Sequence, residues 1–522
     1  DSATTTITAA PAQTRIFTDK GIVEGESLAD GITAFRGIPF AAPPVGELRW
    51  RAPTPAASWD DVRTTRQFAP ACMQPEQEEA LGASTPETMS EDCLYLNVWT
   101  PETHKDARRP VMVWIHGGSN LTGSAAQPVY DGQFLAREGD VVMVSVQYRL
   151  GVMGYFAHPL LSAETTDAVS GNYGTRDIIA ALTWVRDNIH QFGGDPDNVT
   201  VFGESAGAVN TCILLASPLA TGLLDGAIMQ SGACADNMRD LRVSQLPLFA
   251  AAEDVGTAAS ATLGCADASD ELACLRALNS QQLDDTLKPT GALFGDVEGE
   301  QFGPITDGVV LPAPPLSVIE QGTHNRVPVI LGSNANEAGF WLLAINRLIT
   351  SLNAYERVVE MLFDGDDDTV LNGPAVDVLD AYPASNRSEA RVAFQRLFTD
   401  AFFTCPGRRE ARIFQRQQTP VWRYEFTQLT PGLEYLGAFH AAELPYVFGT
   451  LGSNKAAAEH LVSQHLMRYW TQFATSGDPN HPDVTYWPGY TETADEHLQI
   501  GTPVQTGTGL RKAYCDLLDE VS

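Results

Sequence analysis

The sequence predicts an α/β fold built on a large, mostly parallel central sheet flanked by helices. Three observations predict it: short apolar runs recur along the chain, amphipathic helical stretches separate them, and Gly-rich turns with reactive side chains follow several of the runs. The runs are "PVMVWIH" (110–116), "VVMVSVQY" (141–148), "NVTVFG" (198–203), "GAIMQ" (226–230), "VPVILG" (327–332) and "VWRYEF" (421–426). Strands buried on both faces need continuous apolar runs of this kind. Between them, "TRDIIAALTWVRDNIHQFGG" sets Ile178, Leu182, Val185 and Ile189 on one helical stripe and stops at Gly193 and Gly194. A doubly wound sheet carries its site at the carboxyl ends of its strands, so the residues after each run come next.

After the 198–203 run stands Gly203-Glu204-Ser205-Ala206-Gly207, a G-x-S-x-G pattern whose small residues let a sharp strand-to-helix turn hold the serine clear of the backbone. Read alone, the pentapeptide fits a helix-capping serine equally well. After the 327–332 run comes one carboxylate, Glu337, and after 421–426 comes "GAFHAAELPYVFG" with His440. Serine, acid and histidine follow one another in the chain order of a nucleophile triad. The other histidines fit worse. His104, His116, His158 and His190 precede Ser205, His460 and His465 lie in a helical stretch, and His324, His481 and His497 lie among polar residues. The segment "WIHGGSNLTG" (114–123) follows the first run and can offer backbone N–H groups to a developing oxyanion. Gly118, Ser119 and Ala206 are the candidate donors, a plain Gly-Gly turn being the alternative.

The length suits one large α/β domain or two to three smaller ones, and the expectation is a single domain over 14–522 preceded by a flexible Thr/Ala-rich arm at 1–13, "DSATTTITAAPAQ". A net charge of −32 excludes nucleic acid as a partner, since phosphate binding needs clustered Lys and Arg, and reads as a solvated acidic surface. No apolar run reaches the length of a membrane span, and the chain as given has no signal peptide, as a mature secreted protein would not. The eight cysteines include no C-x-x-C pair. Cys72 with Cys93 and Cys265 with Cys274 bracket short loops like tied necks, whereas Cys212 in "TCILLAS" fits a buried free thiol. Disulfides at the two necks would place the protein in an oxidising compartment.

These residues resemble the type-B carboxylesterases of the α/β-hydrolase fold, from about residue 15 to the C-terminus. The likeness rests on "FRGIPFAAPPVGELRW" (35–50), "SEDCLYLNVW" (90–99), "FGGDPDNVTVFGESAG" (192–207), "GSNANEAG" (332–339) and "FHAAELPYVFG" (439–449). It implies loop and helical insertions that form a substrate gorge. It also implies Ser205 as nucleophile, His440 as general base and then acid, Glu337 as the carboxylate orienting the imidazole, and Glu204 and Ser231 close behind them. Disulfides Cys72–Cys93, Cys265–Cys274 and Cys405–Cys515 follow from the resemblance, as does an Arg49–Glu91 ion pair, with Cys212 and Cys234 left unassigned. No metal or cofactor is implied, and the expectation is a small-molecule ester as substrate and a secreted or periplasmic location, with the oligomeric state open and a monomer favoured.

The sequence departs from the family at two places. Gly117-Gly118-Ser119-Asn120 stands where the family has Gly-Gly-Gly-Phe or Gly-Gly-Ala-Phe. The expectation is a loop shifted so that Ser119 takes an ordinary backbone conformation, with Asn120 shaping the acyl pocket. The loop between Cys72 and Cys93 has no tryptophan to hold a quaternary ammonium, which argues against choline esters. Phe340 and Trp341 line the gorge or, equally, form a core pair. A narrower activity is the alternative, as a lipase, an aromatic or phthalate esterase, or a mycotoxin-ester hydrolase. A non-catalytic binding module of the same fold is disfavoured because Ser205, Glu337 and His440 are all present.

Overall fold

The computed structural model describes residues 13–76, 86–235, 237–245, 250–287, 302–364 and 373–521. All of the 1–13 arm except Gln13 lies outside them. Eleven strands form the main sheet: β1 (Glu26–Ser27), β2 (Thr33–Pro39), β3 (Tyr95–Thr100), β4 (Arg109–Ile115), β5 (Val142–Val146), β6 (Gly194–Glu204), β7 (Gly226–Gln230), β8 (Val329–Asn334), β9 (Val421–Phe426), β10 (Glu496–Ile500) and β11 (Gln505–Thr508). Their order across the sheet is β11-β10-β9-β8-β7-β6-β4-β5-β3-β2-β1. The centre from β5 to β10 is parallel, as expected, while β1, β2, β3 and β11 add antiparallel margins.

The apolar runs become strands because both faces of the sheet are covered. Along β4, Val111, Val113 and Ile115 enter one core while Met112 and Trp114 enter the other. Each side chain so buried stabilises the fold by roughly 1.5–3 kcal/mol before conformational entropy is subtracted. Helix α1 (Tyr173–Asn188) covers the first face with Ile178, Leu182 and Val185, the stripe read from the sequence. Helix α2 (Ala206–Ala216) follows β6 and packs on that face through Cys212, Leu214 and Leu215. On the opposite face lies α5 (Ala457–Ser476), which supplies Leu466, Trp470 and Phe473. A third core gathers around α3 (Arg387–Thr399), a π-helical turn over Asp400–Thr404, and α4 (Cys405–Arg416).

Strand order fixes where a site can form. The chain passes from β4 outward to β5, then crosses back to place β6 on the other side of β4. At such a reversal the loops leaving two neighbouring strands diverge to opposite faces and open a crevice. Here those loops are 116–123 and the turn at Ser205, and Gly203 sits directly beside Ile115 in register.

All eight cysteines are paired: Cys72–Cys93, Cys265–Cys274, Cys405–Cys515 and Cys212–Cys234. The last bond corrects the expectation of a free thiol at Cys212. Apolar neighbours are shared by free and bonded sulfurs, and Cys234 reaches Cys212 because the segment after β7 folds back over α2. Arg49 and Glu91 pair, with Nε donating to the carboxylate at 2.8 Å.

Candidate active site

Ser205 ends β6 and caps α2 with φ 56° and ψ −124°, outside the regions open to an unstrained L-residue. Its N–H donates to the Gln230 carbonyl at 2.9 Å, and its own carbonyl accepts from Ala208 and Val209 as the helix starts. The small residues of the pentapeptide have a physical cause. A Cβ at Gly207 would lie 2.0 Å from the Ile115 carbonyl, so the first turn of α2 touches the end of β4 through bare backbone. A Cβ at Gly117 would lie 3.0 Å from that of Ser205 and 2.8 Å from the Glu204 carbonyl. The loop after β4 therefore presses directly on the serine turn.

His440 and Glu337 meet across the ends of β8 and β9. His440 Nδ1 lies 2.7 Å from Glu337 Oε2, and the other oxygen, Oε1, accepts the Asn334 backbone N–H at 2.6 Å. Glu337 is wholly buried and His440 nearly so. His440 Nε2 faces Glu204 Oε1 at 3.1 Å, and among the described residues no hydrogen bond joins it to Ser205 Oγ. Burial draws the imidazole pKa down, but the carboxylates of Glu204, Glu337 and Glu443 outweigh it and carry it up to about 9. Burial likewise pushes the Glu204 carboxyl up, to about 8, with His440 opposing. The two groups titrate as a pair. His116 plays another part: burial lowers its pKa to about 4, its Nδ1 lies 2.9 Å from the Gly117 carbonyl, and its ring stacks on Tyr148.

The oxyanion candidates lie on the two segments that meet where Gly117 approaches Ser205. Among the described residues no protein acceptor takes the N–H of Gly118 or Ser119, while the Gly118 carbonyl accepts from Leu121 and Thr122. Ala206 opens α2, where a helix leaves its first N–H groups free. Ser119 keeps φ 58° and Asn120 φ 57°, so the loop has not shifted to an ordinary conformation as the sequence reading favoured. Contact with Ser205 and Glu204 at Gly117 restrains the near end of the loop from outside. Asn120 turns inward at 6% exposure, its Oδ1 accepting from Asn210 and Tyr155. Ser231, at φ 49°, is buried with its hydroxyl unpartnered among the described residues, and the Gly232 backbone lies against the Ser205 carbonyl.

Three aromatic rings surround His440. The centroids of Trp341, Phe403 and Phe340 lie 4.9, 5.2 and 6.0 Å from the imidazole. Phe403, carried by the π-helical turn, has no sequence motif to announce it. Also unread were Asn334, whose Nδ2 donates to Glu443 at 2.6 Å and to the Phe439 carbonyl at 2.7 Å, and Gln230, which donates to Glu443 and accepts from Trp470. The position of Glu443 on the same motif as His440 was the one signal for that group.

The family model described as "Carboxylesterase family" matches residues 12–518. The chain is similar to fumonisin B1 esterase of Sphingopyxis macrogoltabida, at 37% identity over 94% of this chain and 87% of that protein. It is also similar to para-nitrobenzyl esterase of Bacillus subtilis (34%, over 94% and 95%) and to human cocaine esterase (35%, over 92% and 86%). With a serine held on a strained turn beside a buried histidine–carboxylate pair, and with this match over nearly its whole length, the chain belongs to the carboxylesterase family and is a carboxylic ester hydrolase.

Proposed function

We propose that the chain hydrolyses small-molecule esters through an acyl-enzyme on Ser205, with His440 and Glu337 completing a triad. The observation that carries the reading is the 2.7 Å contact between His440 Nδ1 and Glu337 beside the strained Ser205 turn. Ser205 Oγ attacks the ester carbonyl and gives its proton to His440 Nε2. The carbonyl oxygen becomes an oxyanion that accepts from the N–H groups of Gly118, Ser119 and Ala206. Collapse breaks the bond to the alcohol, which leaves with the proton from Nε2. Water then attacks the acyl-enzyme, losing a proton to Nε2, and the acid departs as Ser205 regains its hydrogen. Glu337 keeps the Nδ1 proton in place and steadies the imidazolium. Phe340, Trp341 and Phe403 offer an apolar wall to the ester, and Glu204 and Ser231 support the reacting groups from behind.

A phosphonylating esterase reagent is expected to label Ser205 stoichiometrically, as read by peptide mapping, and Ser205→Ala is expected to abolish turnover while leaving the fold intact. A label elsewhere overturns the assignment. The relative named fumonisin B1 esterase favours one narrower reading, an enzyme confined to fumonisin esters. Turnover of p-nitrophenyl esters of rising acyl length beside fumonisin B1 separates the two. Four disulfides support a secreted or periplasmic location, and among the described residues no helix is long and apolar enough to cross a membrane.

A further inference from the structure

Asn120 stands where the family resemblance leads one to expect an aromatic ring, and its side chain is buried and hydrogen-bonded to neighbouring elements. It is 6% exposed, and its Oδ1 accepts from Asn210 Nδ2 at 2.7 Å and from the Tyr155 hydroxyl at 3.3 Å. Its own carbonyl accepts the Gly151 N–H at 2.7 Å. Asn210 is fully buried on α2, the helix that begins at the nucleophile, and Tyr155 closes the short helix Gly151–Tyr155. One side chain therefore joins three elements: the loop that carries Gly118 and Ser119, the nucleophile's helix, and the helix after β5.

We infer that Asn120 is a positioning residue that fixes the Gly118 and Ser119 amides relative to Ser205 by hydrogen-bonding the oxyanion loop to α2 through Asn210. The inference rests on the acyl-enzyme reading above, in which those amides hold the oxyanion. Of two consecutive left-handed residues, Asn120 tolerates that backbone but Ser119 does not, so something must hold the loop. Loop packing against Glu204 and Ser205 fixes its near end at Gly117, and the Asn120–Asn210 bond fixes its far end. The two donors lie between these anchors. A phenylalanine at 120 could pack but could not accept from Asn210 and Tyr155, so the polar residue at 120 and the polar residue at 210 belong together. The bond acts on the transition state rather than on substrate capture, because the amides it places meet full negative charge only in the tetrahedral intermediate.

The test compares Asn120→Ala, Asn120→Gly, Asn210→Ala and the double variant Asn120→Ala/Asn210→Ala on p-nitrophenyl butyrate, with Ser205→Ala beside them. Each single variant is expected to lower kcat about 10- to 100-fold with KM within about 2-fold, the scale of a displaced reacting geometry. Affinity for a trifluoromethyl ketone, which forms a hemiketal oxyanion on the serine, is expected to fall by the same factor as kcat/KM. The double variant should be no worse than either single one, since both remove one bond. Asn120→Gly eases the left-handed backbone but deletes the acceptor. Its loss of kcat would show that the side chain matters, and normal kcat in that variant would overturn the inference. Losses that multiply in the double variant would overturn it too. If Asn120→Ala does not fold, Asn210→Ala carries the same test from the other end of the bond. Turnover surviving in Ser205→Ala would defeat the acyl-enzyme reading itself, an outcome separate from any result at 120 or 210.

Discussion

The two halves of the site are built from different materials. The half at the ends of β4 and β6 is made of backbone: bare contact at Gly117 and Gly207, positive φ at Ser119, Asn120 and Ser205, and amides left free to donate. The half at the ends of β7, β8 and β9 is made of buried side chains, with Glu337, His440, Glu443, Asn334 and Gln230 linked by hydrogen bonds of 2.6–3.1 Å. Backbone donors do not titrate, but a single added methyl group displaces them. Side-chain pairs tolerate small shifts in shape, but each added or lost charge changes their protonation. The first half should therefore fail by steric change and the second by electrostatic change.

The largest expected effect lies on the side-chain half. His440→Ala should cut turnover by about 10⁴-fold or more without unfolding the protein, as kinetics and thermal melts would show. On the backbone half, Gly207→Ala should destabilise by about 3 kcal/mol, since its Cβ would sit 2.0 Å from the Ile115 carbonyl and rigid backbone must move. A normal melting temperature for that variant would break the comparison. Glu204→Gln sharpens it. In the proposed mechanism the neutral imidazole is the active form, so kcat/KM should fall as pH drops through the raised His440 pKa of about 9. Removing the Glu204 charge lowers that pKa and should move the acid limb of the pH profile downward, and a limb that stayed in place would remove Glu204 from the electrostatics of the histidine. The smallest effect belongs to Ser119→Gly, which relieves a side chain at φ 58° and should raise stability by about 1 kcal/mol with turnover changed only modestly. Denaturant melts would detect it.

The side-chain half was the more legible in sequence. Glu337 and His440 follow apolar runs that could be read as strands, and their chain order relative to Ser205 named their place. The loop after β4 was legible as a position but not as a conformation. Nothing local in "GGSN" reveals that Ser119 keeps a left-handed backbone, because the constraint comes from β6 and α2 pressing on the loop. Asn120 was expected in the acyl pocket, and its partner Asn210 lies on another element, so the inward turn needed the fold. The margins of the sheet were also missed. β10 and β11 carry polar residues such as Glu496, Gln499 and Gln505, whose alternation gives little strand signal. Phe403 escaped because a π-helical turn, set by packing in the third core, aims it at His440.

One hydrogen bond far from the serine bears on when the enzyme becomes active during its synthesis. Trp470 Nε1 on α5 donates to the Gln230 side chain, and the Gln230 carbonyl accepts the Ser205 N–H. A nascent chain that has left the ribosome as far as residue 230 already holds Ser205, yet the residue bracing it still waits for a partner 240 positions later. His440, Glu337 and this brace, the groups the proposed mechanism needs beside Ser205, all arrive in the late part of the polypeptide, since long-range contacts close only after the intervening chain exists. On the proposed mechanism, a ribosome-bound or prematurely terminated product is expected to be inert toward esters until α5 has docked beneath the sheet.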